Sequence, residues 1–466
     1  MKAKKVSRRD FLRMSACATV GAAIAACQPQ VIEKTVEVDV EKVVTATPSA
    51  PERKPMTLEV WIERGDPQRT VIGSFVDTYN KELAGAGVPV TWEYDFPGDS
   101  LPDLLMAAAA EGPSAFPDLL IGSSNEGLYP PLILAGAVPE QNSWMDAVGL
   151  DWSDYAPNVR KQIDGKDYWL PYGVAAFIQY VNLDHAEEAG LDIAANPPDD
   201  LETMIEVARA MTKLGADDKV ERSGFLLTGS GGHPSLVWGT VLECLGGQIV
   251  ADDGMTPNFN NAAGKEAAQF VIDCFDDYIV STRDLADRYK AWAVGNASIF
   301  WTGTWVMATS LTAELNFATM PLPEVDGVRV STDAATEAMS LFDTGDPDSM
   351  MEAARLLKWF TEHMGEYCTI VGDICPTLSG RAMPSYQNRA AAPYEGPALQ
   401  AYEEGYAQSA FFHPEKNINY YWGEPEVDNL DRIWLGEWTV EEGLEKMEAE
   451  VQAILDKNPV IPIQLV

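Results

Sequence analysis

Thr57-Leu58-Glu59-Val60-Trp61-Ile62 alternates polar and apolar side chains, the period-two signature of a β-strand. Directly after it, Val71, Ile72, Phe75, Val76, Tyr79 and Leu83 recur at helical spacing. Val90, Trp92, Tyr94 and Phe96 then alternate again, giving a second strand over residues 90–96. An alanine-rich helix is predicted around residues 101–110, and Pro117-Asp118-Leu119-Leu120-Ile121-Gly122 reads as a short buried strand. Strand, helix, strand, helix, strand at these spacings implies an α/β fold with a parallel sheet and right-handed crossovers.

The theme repeats downstream. Residues 168–171 and 177–182 read as strands. Leu201, Met204, Ile205, Ala208 and Met211 form one apolar helix face, and Asp199 and Glu202 have capping-box spacing. Further helices are predicted at 236–245, 264–278 and 349–364. Thr439-x-x-Glu442 opens a last one, with Leu444, Met447, Val451, Ile454 and Leu455 on one face. No short-period tandem repeat is present.

Upstream of this pattern, residues 28–55 are charged and Val/Thr-rich, then Pro-rich, and read as a flexible tether spanning 27–55. The valines alternate, but a lone strand has nothing to pair with. Before the tether, Ser7-Arg8-Arg9-Asp10-Phe11-Leu12-Arg13 leads into a small-residue apolar run that ends in Ile24-Ala25-Ala26-Cys27. This segment resembles a twin-arginine export signal closed by a lipoprotein cleavage box. The run is shorter than the roughly 20 apolar residues a membrane span needs. Residues 1–26 are therefore expected to be a signal peptide and Cys27 a lipidated N-terminus. The mature chain would then lie outside the cytoplasm, anchored to the cell membrane by lipid.

The 466 residues are 46% hydrophobic, enough for two large domains at roughly 100–200 residues each. The net charge is −38; removing the segment before Cys27 takes away six cations and one acid and leaves −43. Such a chain repels phosphate backbones and anionic headgroups, which excludes a nucleic-acid binder. Four cysteines follow Cys27. Cys368 and Cys375 are close enough in sequence to close a small loop, and Cys244 and Cys274 lie on two predicted helices; four buried free thiols is the other reading. There is no Cys-x-x-Cys, so neither zinc nor dithiol redox chemistry is indicated, and no metal or cofactor is expected.

A series of landmarks then carries a resemblance. Pro117-Asp118-Leu119-Leu120-Ile121 precedes Leu134-Ala135-Gly136-Ala137-Val138. Gly165-Lys166-Asp167-Tyr168-Trp169-Leu170-Pro171-Tyr172 precedes Tyr180-Val181-Asn182. Ala189-Gly190-Leu191 precedes Pro197-Pro198-Asp199-Asp200-Leu201, and Gly246-Gly247 follows a helix containing Trp238. Gly295-Asn296-Ala297-Ser298-Ile299 leads to Gly303-Thr304-Trp305, then Met320-Pro321-Leu322-Pro323 and Lys358-Trp359-Phe360. Over residues 56 to 457 this order resembles the extracellular solute-binding proteins of ABC importers, in the family 1 sugar-binding branch that includes maltodextrin binders.

The resemblance implies a two-lobed periplasmic-binding-protein-like fold of the class II type, its lobes joined by a hinge of several chain crossings. Lobe one would take 56–172 and 325–370, lobe two 173–324 and 371–466. A sugar or oligosaccharide would be held between the lobes and delivered to the transmembrane subunits of a permease.

Sugars offer apolar ring faces fringed by hydroxyls, so their site needs flat aromatic plates and in-plane polar partners. Trp305, in the Gly-x-Trp turn, matches the segment whose ring stacks on sugar in the family. Trp301 lies four residues upstream, and Trp238 begins a helix after the Gly229–Gly232 loop. Ligands bind at the carboxyl ends of open parallel strands, which brings in Glu63 and Asp66 after the first strand and Ser123 and Asn125 after the third. Family likeness adds Tyr172, Glu337 and Arg381, and Tyr420-Tyr421-Trp422 is a candidate aromatic platform.

An enzyme is the rival class. A glycoside hydrolase needs two carboxylates at a set distance, and 71 acids make candidates uninformative. The four histidines show no HExxH pair, the Gly229–Gly232 loop lacks the Lys-Ser/Thr that ends a phosphate-binding loop, and Ser230 lacks the Gly-x-Ser-x-Gly frame. The chain is therefore expected to bind rather than turn over its ligand. The same fold could instead carry a polyamine, a metal ion, a peptide or a glycerophosphodiester, or serve as a lipoprotein outside transport.

Overall fold

The computed structural model describes residues 53–65, 67–123, 129–332, 336–407, 411–412 and 423–466. Its first sheet grows from the alternating stretch that opened the sequence. β1 (Met56–Ile62) is followed by α1 (Gln68–Gly85), β2 (Val90–Asp95), α2 (Leu101–Glu111) and β3 (Leu119–Ser123). β4 (Leu170–Val174) joins this sheet, as does β10 (Thr336–Leu341), and the order is β2-β1-β3-β10-β4. β1, β2 and β3 run parallel, while β10 runs antiparallel to both β3 and β4. The late strand β10 thus enters in fourth place and antiparallel to both its neighbours.

Successive side chains along a strand point to opposite faces, and both faces of this sheet are covered. Val60, Leu119 and Ile121 pack against α1, α7 (Pro347–Glu362) and α8 (Met364–Val371). Leu120 faces the other way, onto Leu101, Leu105 and Ala108 of α2. Cys375 and Tyr386, later in the chain, also belong to the first of these two cores.

The second sheet contains β5 (Phe177–Asn182), β6 (Lys213–Leu214), β7 (Val220–Phe225), β8 (Ala297–Gly303) and β9 (Phe317–Met320), in the order β9-β5-β8-β7-β6. β7 and β8 are parallel and β5 runs opposite to them. Ile299 and Trp301 face α3 (Leu201–Met211), α4 (Gly232–Cys244), α5 (Ala262–Asp276) and α11 (Val440–Leu455). Phe300 faces Trp292 and the Ala398–Ala401–Tyr402 side of α9 (Gly396–Glu403). Residues 53–466 form one compact unit that contains both sheets.

The link between β4 and β5 is only residues 175–176, so the carboxyl end of β4 hands directly to the amino end of β5. Gly303, at the carboxyl end of β8, pairs with Phe177, while Glu337 pairs with Ser123 and Gly173. The carboxyl edges of the parallel strands in both sheets therefore converge on this crossing. The chain passes between the sheets again from β9 to β10, and bridges Val174–Ile374 and Tyr155–Thr377 run beside the first crossing.

Local signals held with small corrections. The cap of α3 is Asp200, whose carboxylate accepts from Thr203 N at 2.8 Å, not Asp199. The Thr439/Glu442 capping box is present as expected. α4 starts at Gly232, four residues before its predicted start, because a helix buried on nearly every side has no amphipathic onset to read. The helix expected over 349–364 breaks at His363 and restarts as α8.

Candidate functional site

At the edge of the first sheet, β1 runs out into Glu63 and Arg64. Glu63 N still donates to Ile121 O at 2.9 Å, which fixes the backbone of the turn. Arg64 Nε donates to Tyr172 Oη at 3.1 Å and Nη2 meets Glu337 Oε1 at 3.1 Å, with Glu63 Oε2 at 4.0 Å from Nη1. Two glycines make room for these acids. A Cβ on Gly122 would lie 2.9 Å from Glu63 Oε2, and one on Gly173 would lie 3.1 Å from Glu337 Cγ.

Tyr172 is buried, edge-on to Tyr367 at 5.5 Å and to Phe360 at 6.0 Å. The Tyr367 hydroxyl donates to Asp373 Oδ2 at 3.4 Å. Asp373 follows Gly372, whose left-handed φ of 85° turns the chain out of α8.

The electrostatics follow from this crowding. Burial opposes the charge of Arg64, but Tyr172, Glu337 and Glu63 together outweigh it and raise its pKa, so it stays protonated. Burial, and then the Glu337 charge, push the Asp373 carboxyl well above the usual carboxylate range. Glu337 Oε2 is buried with no hydrogen-bond partner among the described residues. The Glu63 and Glu337 carboxylates share the Arg64 guanidinium, with the protonated Asp373 beside them.

The edge of the second sheet is built differently. β8 ends at Gly303, and Trp305 follows in a tight turn. A Cβ on Gly303 would lie 1.8 Å from the Trp305 ring, so only glycine lets the indole fold back over the strand end. Trp305 is 39% exposed, and its Nε1 donates to the Tyr289 hydroxyl at 3.1 Å. Tyr289 is 37% exposed on α6 (Arg288–Ala293). The Arg288 guanidinium sits 4.8 Å over the tyrosine ring, and Arg288 Nη2 donates to its hydroxyl at 3.1 Å. Both aromatic rings have their polar atoms engaged and apolar surface in solvent, which suits a stacking plate.

The structure therefore brings Glu63, Tyr172 and Glu337 together and puts Trp305 on the other sheet edge. Trp238 and Trp301 go to the core instead. Both are completely buried, with Nε1 satisfied by Gly264 O at 3.0 Å and Gln179 Oε1 at 2.9 Å respectively, so neither presents a ring face to solvent. Arg381, in the short helix Leu378–Arg381, donates from Nε to Cys375 O at 2.6 Å, so its hydrogen bond goes to that backbone rather than to Arg64, Glu63 or Glu337. Ser123 closes β3 opposite Glu337. Asp66, Asn125, Cys27 and Tyr420-Tyr421-Trp422 lie outside the described residues.

Sequence reading passed over Arg64, Asp373, Tyr367, Tyr289 and Arg288. Arg64 had a signal: it is one of only 33 cations against 71 acids, and it stands at a strand's carboxyl end. Asp373 had a weaker one, following a glycine just past a helix. Nothing local marks Tyr289.

Among the described residues no cluster of three or more His, Cys, Asp or Glu could hold a metal ion. The glycine loop before α4 is also committed elsewhere, since Gly231 N donates to both Asp431 carboxylate oxygens at 2.8 and 3.0 Å. Burial drives the pKa of His233 down to about 3. It is neutral, and its Nε2 donates to Trp301 O at 2.9 Å.

No protein-family model matches the chain, and no curated protein sequence matches it. Solved structures do. An ABC-transporter solute-binding protein of Thermotoga lettingae bound to α-D-tagatose is 19% identical with a TM-score of 0.68, covering 86% of this chain and 99% of that one. The sugar-binding protein MalE of Xanthomonas citri is 18% identical with a TM-score of 0.67, covering 86% and 98%. The GacH receptor of Streptomyces glaucescens, solved unliganded and with acarbose, is 17% identical with a TM-score of 0.68, covering 86% and 98%. The fold is that of the periplasmic sugar-binding proteins.

Proposed function

We propose that this chain is the solute-binding lipoprotein of an ABC importer, which captures a sugar or oligosaccharide between two lobes and passes it to a membrane permease. The observation that carries this reading is the pairing of unlike edges at the 174–177 crossing. One edge offers an ion-paired set of hydroxyl partners, Arg64, Glu63, Glu337 and Asp373. The other offers the Trp305–Tyr289 plate. Hydroxyls and a ring face are the two things a carbohydrate presents. Lobes built around the two sheets, hinged at the crossings, would close on the sugar. The ligand must bind the closed state better than the open one for the permease to sense it. Export through a twin-arginine signal and a lipid on Cys27 would hold the protein at the outer side of the membrane.

The excess of acids over cations in the first-sheet network gives a second reading some weight, in which the guest is cationic, such as a polyamine. A thermal-shift and calorimetric screen over mono- and oligosaccharides, polyamines and glycerophosphodiesters tests both, because ligands stabilise the state they bind. The expected result is stabilisation by a sugar that is recovered chemically unchanged, with compaction seen by small-angle scattering. Stabilisation by polyamines alone would replace the sugar reading, and ligand turnover would overturn binding as the function. Replacing Cys27 by Ala should release the protein from the membrane fraction if the anchor is right.

A further inference from the structure

Beneath the first-sheet network lies a pair of thiols that the binding reading does not use. Cys368 is on α8, and Cys375 is on the segment that returns after the Gly372 turn. Both are completely buried in the same core. The backbone brings them together. A Cβ on Gly380 would lie 3.1 Å from Gly365 Cα and 2.4 Å from Cys375 Sγ, so the 375–380 turn touches α8 main chain to main chain with the Cys375 sulfur in the contact. Gly365 is one helical turn before Cys368 on the same face. Cys368 Sγ points to Tyr172 O at 3.6 Å, and Cys375 Sγ lies 3.3 Å from Thr377 Oγ1.

The neighbouring Cys368 lowers the Cys375 pKa, whereas burial, and then Cys375, raise that of Cys368. The other two cysteines do not act on each other: burial raises the pKa of both, with Val330, Glu243, Val325 and Arg329 acting after it on Cys244 and Asp273 on Cys274.

We propose that Cys368 and Cys375 are a redox-active pair that a disulfide-bearing oxidant closes into a bond, tying the Asp373 turn to α8. Tyr367 adjoins this ring and Asp373 lies inside it, so the bond would staple one side of the Arg64 network; only this last consequence rests on the proposed binding site. In the reaction the Cys375 thiolate attacks glutathione disulfide, breaking its S–S bond and releasing one glutathione thiolate. Cys368 then loses its proton and displaces the second glutathione from Cys375. Two protein thiols are oxidised, and two electrons and two protons reduce glutathione disulfide to two glutathiones.

The test is thiol mapping of the full chain equilibrated in glutathione buffers from reducing to oxidising, both as folded and during refolding from denaturant, because burial slows access. After acid quench, denaturation and alkylation, Cys368 and Cys375 should lose alkylation together, and their joined peptide should be lighter by two hydrogens. Cys244 and Cys274 should stay alkylated throughout. The melting temperature should rise by a few degrees on oxidation in the wild type and not in Cys375→Ser. Full alkylation of Cys368 and Cys375 at the oxidising limit, pairing of either with Cys244 or Cys274, or an equal thermal shift in Cys375→Ser would overturn the proposal. None of these readouts uses a sugar, so the binding reading stands or falls separately.

Discussion

The two sheet edges that meet at the 174–177 crossing use opposite physics. On the first sheet, Arg64, Glu337, Tyr172 and Asp373 are drawn inside and spend most of their polar atoms on one another. On the second, Trp305 and Tyr289 keep ring surface in solvent and share one hydrogen bond, with a second from Arg288 to the Tyr289 hydroxyl. The first edge is held by its own contacts; the second leaves apolar ring surface exposed. Substitutions should therefore damage folding on one side and affinity on the other.

The sharpest way to break this contrast is Arg64→Ala. Removing the cation leaves the Glu63 and Glu337 carboxylates against each other in a partly buried place, and chemical denaturation should show a loss of about 3 kcal/mol. A loss below about 0.5 kcal/mol would mean the network is solvated decoration. On the other edge, Trp305→Ala should leave the denaturation midpoint nearly unchanged while weakening the best sugar ligand more than tenfold by calorimetry, about 1.4 kcal/mol or more. Unchanged affinity would remove Trp305 from the site.

Protonation sharpens the comparison further. Asp373 has a raised pKa in the fold, so its contribution is complete at low pH and is lost as pH rises from the ordinary carboxyl range through the folded value. Stability measured from pH 4 to 8 should fall with a slope of at most about 1.4 kcal/mol per pH unit from this group, and Asp373→Asn should flatten it.

Glu426 provides the matching case away from both edges. It is fully buried in α10 (Glu424–Trp434), with neither carboxyl oxygen partnered by another described residue, and burial raises its pKa to about 8. Its share of the slope should lie between about 4.5 and about 8, and Glu426→Gln should remove it. The smallest effect is expected for Tyr289→Phe. That change deletes the hydroxyl that accepts from Trp305 and Arg288 at an exposed ring, and affinity should fall by only a few-fold.

Much of this was legible in the chain itself. Period-two and period-3.6 patterns gave β1 to β5 and the longer helices other than α10, because burial imposes those periods locally, but not β7, β8 or β10. Glu63 was picked out by its place at a strand's carboxyl end, and Glu337 and Trp305 by family likeness; the structure puts Glu63 and Glu337 about the same guanidinium and leaves the Trp305 ring partly exposed. Trp238 and Trp301 misled, since an aromatic after a loop looks the same in sequence whether its ring faces solvent or core. Their burial is decided by α5 and by Gln179 on β5, which accept their indole N–H groups.

What the sequence determined alone is therefore what neighbours along the chain enforce: the α/β alternation, the Thr439 cap and the acidic composition. What only the tertiary structure decided is which distant residues meet. Arg64 and Glu337 are far apart in the chain and become partners because β10 enters the first sheet backwards between β3 and β4. Trp305 and Tyr289 meet because Gly303 has no side chain to hold them apart. Local patterns follow from backbone geometry and burial, whereas a binding edge is assembled by strand order, and strand order leaves no periodic trace.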